Sequence, residues 1–195
     1  MLRKENKMST TQPIRSYEDV QRLKNYYYEK GVYRDFLLVS VCLNTALRIC
    51  DVLSLKWKDV MDINTGKIKE HIRVEEAKTE KITIIKLNSS VKSALDIFIK
   101  SGEKGSEYIF TNRSGNKLSR ITAFNIIRNG GRAIGLPYDI SCHSLRKTFG
   151  YHAWKRGVPP AIIMQIYNHV SFDVTKRYLG ITQDDKDAVY TEMVL

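Results

Sequence analysis

Cysteine is sparse in this 195-residue sequence. Cys42, Cys50 and Cys142 form an odd set at wide spacing, which argues against a disulfide framework and favours a reducing, cytoplasmic setting. CxxC and HExxH are both missing, and Cys142-His143 lacks a second ligand pair, so no metal site is expected. No apolar run reaches the roughly 18 residues of a membrane span, so no membrane partner is expected. Met1 to Gln12 lacks the apolar centre of a secretory signal. Negative charge is also short: 21 Asp and Glu face 32 Lys and Arg, a net charge of +11. That imbalance suits a polyanionic partner, nucleic acid above all, although a solvated basic surface would look the same. What is plentiful is core material, since 43% of residues are hydrophobic, enough for a single domain.

Residues 1–15 read as a flexible arm and 16–195 as one domain. Ser16 opens a helix, with Asp19 three residues on and Gly31 as its stop. Val20, Leu23 and Tyr27 share one face of it. A second helix, 33–44, is apolar on most sides, and a third covers 48–55. Asn64-Thr65-Gly66-Lys67 is a turn signal. The stretches 68–74 and 82–87 are β-rich around the polar connection 75–81, which predicts a small antiparallel sheet. Helical patterns return at 89–100, 119–134, 143–156, 159–168, 173–179 and 184–193, with Pro159 at a helix start. The expected fold class is therefore mainly α with a small antiparallel β-sheet.

Four places carry polar residues that local packing does not require. Arg48 and Asp51 lie one turn apart, and an intrahelical ion pair on a wet face would account for them. Lys78 sits in the hairpin connection, where a solvated lysine is ordinary. His143 and Arg146 share a helix face. His169 precedes a short helix carrying Tyr178, which alone would pass for a core tyrosine with its hydroxyl at the rim.

Taken in order, Arg, Lys, HxxR, His and Tyr at these separations resemble the phage-integrase family of tyrosine recombinases. TALRICDVLSLKWKDV is similar to that family's first arginine motif, CHSLRKTFGYHAWKRG to its second, and IYNHVSFDVTKRYLGI to its nucleophile motif. The resemblance covers roughly residues 14–190. Two positions depart from it. The family usually has glycine where this chain has Asn168, and often glutamate where it has Asp51. Most members also carry an extra helical core-binding domain ahead of the catalytic one, where this chain has only about 15 residues. It therefore resembles the short members that invert fimbrial promoters, or an excised catalytic domain.

The resemblance implies a tyrosine recombinase catalytic-domain fold and a site-specific recombinase that cuts double-stranded DNA and rejoins it through a 3′-phosphotyrosyl link, without cofactor. Tyr178 would be the nucleophile, His143 the general base and Lys78 the general acid on the leaving 5′-hydroxyl. His169 would donate to the scissile phosphate, and Asp51 would orient His143 or Arg146. Arg48 and Arg146 would hold the charge of the pentavalent state. Guanidinium suits that task, because it stays charged and grips two phosphate oxygens in a fork. Lys56, Lys58, Arg120, Arg128, Arg132, Lys147 and Lys155 are candidates for DNA backbone contacts. The family precedent further implies a tetramer on DNA, a monomer when free, and association with the nucleoid. The amphipathic tail 184–195 could dock on a neighbouring subunit or pack on its own domain. Two other functions remain compatible with the same side chains: a type IB topoisomerase-like nicking-closing enzyme, and a catalytically silent DNA-binding regulator.

Overall fold

The computed structural model describes residues 11–78, 80–102, 107–181 and 183–194, without the side chains of residues 177 and 184. The order is α1 (Tyr17–Glu29), α2 (Tyr33–Thr45), α3 (Ile49–Leu53), α4 (Trp57–Val60), β1 (His71–Glu75), β2 (Ile82–Lys86), α5 (Ser89–Lys100), α6 (Arg120–Ala133), α7 (Cys142–Lys155), α8 (Pro160–Ile166), α9 (Phe172–Leu179) and α10 (Gln183–Glu192). The mainly helical class with one small sheet is as expected.

The apolar sequence of α2 makes it the central element. Leu37, Leu38 and Val39 are fully buried, each contributing about 1.5–3 kcal/mol relative to exposure. Helices α1, α5 and α7 pack around it. Capping side chains fix the surrounding helix starts: Ser16, Asn88, Ser119, Ser141 and Ser171 each accept a backbone N–H of the first turn, satisfying donors that a helix leaves orphaned.

β1 and β2 pair antiparallel, with Glu75 opposite Ile82 and His71 opposite Lys86. β1 alternates, so Ile72 and Val74 face the core. That parity continues past the strand end and turns Glu76 inward, where it is 1% exposed. On β2, Ile82 and Ile84 stay exposed.

β1 begins at His71 and not at residue 68, and α4 is an addition to the expected elements. Two further differences bear on the site. Arg48 is the N-cap of α3 and not its first helical residue. The expected arm, residues 1–15, has a docked end. Ile14 is fully buried, its N–H donates to Thr148 Oγ1 (2.9 Å), and its carbonyl lies 3.0 Å from His152 Nε2. Tyr138 donates to the Pro13 carbonyl at 3.1 Å. These contacts lay residues 11–15 along α7; residues 1–10 lie outside the described residues. Among the described residues, no helix is long and apolar enough to cross a membrane.

Candidate active site

A cavity of about 790 Å³ opens where the α2–α3 connection, the hairpin turn, the start of α6 and the start of α7 meet. Arg48, Lys78, Arg120, His143 and Arg146 all line it, and no described carboxylate does. The local chain explains the convergence. α2 ends on Ala46 in the left-handed conformation (φ 56°), and the reversed chain places Arg48 at the head of α3. The hairpin carries Lys78 out from the sheet, exposed at its turn.

Arg146 is 3% exposed. Its Nη1 donates to the Ala46 carbonyl and its Nη2 to the Tyr167 carbonyl at 3.0 Å, while the guanidinium lies over the Tyr167 ring, 4.7 Å from the centroid. Burial pulls its pKa below the usual arginine value, yet a guanidinium remains charged at physiological pH. Tyr167, wholly buried, returns a bond from its hydroxyl to the Arg146 carbonyl at 2.6 Å.

Tyr178 stands beside this group on α9, half-buried. The His143 ring meets it edge-on with centroids 5.0 Å apart, and the His169 ring does so at 4.7 Å. Part of His143 stays open to the cavity, but burial of its ring, followed by the charges of Lys147, Arg146 and Arg48, holds its pKa down to about 4. Burial, then Arg146 and Arg48, lower His169 to about 4 as well. Both imidazoles are therefore neutral at pH 7. His169 Nδ1 lies 3.1 Å from the hydroxyl of buried Thr175. With that hydroxyl as donor, the ring proton sits on Nε2.

Of the six residues anticipated as catalytic, Arg48, Lys78, His143 and Arg146 line the cavity, and Tyr178 and His169 adjoin it through the ring contact of Tyr178 with His143. Three other expectations change. Asp51 orients neither His143 nor Arg146. Its Oδ1 accepts the Ala77 N–H at 3.0 Å, which steadies the hairpin beside Lys78. It also does not pair with Arg48, whose guanidinium binds Glu76 instead. Lys147, anticipated at the DNA surface, is buried; its ammonium donates to the Thr11 carbonyl at 2.7 Å and lies 5.7 Å from the Tyr178 ring centre. α7 is covered on that side by residues 11–15.

The remaining basic candidates lie outside the core. Arg120 lines the cavity mouth. Lys58 is exposed, and Arg128 lies over Phe124. Lys56, Arg132 and Lys155 pair with Glu107, Asp139 and Asp185. Sequence reasoning missed Glu76 and Thr175. The inward parity of residues 72, 74 and 76 was the available signal for the first. The i, i+3 spacing of Thr175 and Tyr178 was the available signal for the second.

Residues 16–184 match the profile of the phage integrase family. The chain belongs to that family. A member named "Probable integrase/recombinase YoeC" from Bacillus subtilis is 40% identical over 184 residues, covering 94% of this chain and 97% of the relative. Among solved members, the crystal structure of XerA recombinase superposes with a TM-score of 0.77 at 24% identity, covering 93% of this chain and 65% of that one. XerH site-specific recombinase, in a post-cleavage complex with its difH substrate, gives 0.73 at 18% identity, covering 94% and 53%. The chain therefore spans nearly all of the Bacillus relative and about half to two thirds of the two solved chains. As a family member it is a tyrosine recombinase, with the catalytic-domain fold those structures share.

Proposed function

We propose that this protein cleaves one DNA strand by attack of the Tyr178 hydroxyl on a phosphodiester seated in the cavity, and that it rejoins strands from the resulting 3′-phosphotyrosyl link. The observation that carries this reading is a cavity with four cationic side chains and no described carboxylate, beside a phenol flanked by two neutral imidazoles. Such a cavity attracts a phosphate, and fixed donors already in place stabilise the extra charge of the pentavalent state.

The roles are those the family resemblance implies, and the positions of the side chains support them. A phenol has a pKa of about 10 and must lose its proton to attack. Neutral His143, against its ring, accepts that proton. Arg48 and Arg146 bind the non-bridging oxygens. The P–O5′ bond breaks as the Tyr178 Oη–P bond forms, and Lys78, exposed at the cavity, gives its proton to O5′. His169 donates from Nε2 to the phosphate. The energy of the phosphodiester is conserved in the link, so a second 5′-hydroxyl can reverse the step. Double-stranded DNA is the partner, and pairs of sites are exchanged within a tetramer. Val189, Tyr190, Met193 and Val194 of the tail are exposed, which supports docking of that segment on a neighbouring copy.

The test uses a pool of duplexes with a randomised core and a nick beside the cut position, so that the released fragment diffuses away. Wild-type protein should trap covalent DNA, and Tyr178→Phe should trap none. A wild-type protein that binds members of the pool but never becomes linked to one would leave only DNA binding.

A further inference from the structure

Asn168 occupies a position where the backbone has φ 52°, the left-handed region that glycine enters freely and asparagine tolerates better than most residues. Its side chain does more than tolerate the site. Nδ2 donates to Glu76 Oε1 and to Thr83 Oγ1 (3.0 Å), and Thr83 donates to the same Glu76 oxygen at 2.8 Å. The other carboxylate oxygen of Glu76 holds Arg48. A single buried carboxylate therefore joins three segments: the head of α3 through Arg48, both sides of the hairpin through Glu76 and Thr83, and the α8–α9 connection through Asn168.

We propose that Asn168, Glu76 and Thr83 form a clasp that positions the Lys78 turn against the nucleophile segment; this rests on the cleavage reading above. None of the three need touch the scissile group, so they are positioning residues. Glu76 stands two residues before Lys78 and Asn168 immediately before His169. The clasp therefore fixes the distance between the general acid and the phosphate-binding side of the site. Asp51, on the Ala77 N–H, anchors the same turn from the other flank. The carboxylate would be costly to bury alone, and its bonds to Arg48, Thr83 and Asn168 offset that cost. A glycine at 168 would meet the backbone demand equally well but would leave the hairpin untied on this side.

The experiment compares Asn168→Gly and Thr83→Val with wild type on the nicked duplex recovered above, and on the same duplex with sulfur in place of the bridging 5′-oxygen. A thiolate leaves without being protonated, so that substrate no longer needs Lys78. Asn168→Gly keeps the positive φ and should fold. Both variants should bind the duplex like wild type yet cleave the oxygen substrate about 10²-fold more slowly, the loss expected for a displaced catalytic group. On the sulfur substrate the deficit should shrink to within about threefold, as it should for Lys78→Ala. Normal cleavage of the oxygen substrate by both variants, or an equal deficit on the two substrates, overturns the clasp. Failure of wild type to cleave either substrate overturns the cleavage reading instead.

Discussion

Replacing Arg146 by lysine separates the value of a guanidinium fork from the value of a positive charge. The residue is 3% exposed and its two terminal nitrogens are committed to the Ala46 and Tyr167 carbonyls. A lysine ammonium can satisfy one carbonyl or the phosphate, but not the same set in the same plane. One buried carbonyl left without a donor costs about 1–3 kcal/mol, and at about 2–4 °C per kcal/mol for a domain of this size Tm should fall by about 2–12 °C. A domain with about 5–15 kcal/mol of stability survives that loss at 25 °C. The chemical effect should be larger than the structural one, because the missing donor acts where charge develops. Cleavage of the nicked duplex should slow by about 10²–10³-fold under single-turnover conditions, while the far-UV spectrum and DNA binding stay close to wild type. Cleavage within about threefold of wild type would refute the argument that the fork, and not its charge, supports the transition state.

Three further outcomes follow from the same geometry. In the DNA-free protein the His143 and His169 rings should show no titration by NMR near pH 6.5, since both are held down to about 4. The unfolded chain binds more protons than the fold between about pH 6.5 and 4, so stability should fall as pH drops through that window; a normal titration near 6.5 would contradict the lowering of both rings by desolvation and the neighbouring cations. With the Thr175 hydroxyl as donor to His169 Nδ1, Thr175→Val should slow cleavage by about 10-fold or more without weakening DNA binding, because the ring proton is no longer held on Nε2; an unchanged rate would show that the tautomer is set elsewhere. Raising salt from 50 to 200 mM should weaken DNA binding by several powers of ten if about 6–10 phosphates are neutralised, yet leave the cleavage rate of the saturated complex nearly constant.

Helix positions were readable where caps and periodicity agreed. Ser16, Asn88 and Ser119 each stand where side-chain chemistry starts a helix, and 89–100 is helical throughout. α4 escaped because four residues carry too little periodicity, and its only buried members are Trp57 and Val60. The six side chains proposed as catalytic were legible as ordered motifs, whereas their supports were not. Asp51 misled because a one-turn spacing from Arg48 suggests an ion pair; the short α3 instead aims it at the hairpin backbone. Lys147 misled because α7 is buried from Ser144 through Thr148, and its ammonium is tied to the Thr11 carbonyl, a contact distant in sequence. Glu76 was read as part of a polar turn, although strand parity carries it inward. Local text marks the side chains proposed to act; which ones hold them depends on chain segments distant in sequence.

The positive charge divides by environment into two kinds. Lys56, Arg132 and Lys155 are partly or well exposed and lie against Glu107, Asp139 and Asp185. Such pairs are worth about 0–1 kcal/mol, so a DNA phosphate can replace the carboxylate at little cost. At 0.1–0.15 M salt the screening length is about 8–10 Å, which is why attraction built from these groups is sensitive to ionic strength. Arg146 is different: its side chain is almost wholly buried and fixed by carbonyl dipoles, so screening of it is weak. Arg48 is intermediate, bound to buried Glu76 but with its side chain 22% exposed toward the cavity. Among the described residues, Glu76 is the one carboxylate on these two guanidinium groups; it also accepts from Asn168 and Thr83, and it offsets only one of the two positive charges. The unbalanced charge is directed at the cavity, where an incoming phosphodiester supplies the counter-charge and its pentavalent state supplies more.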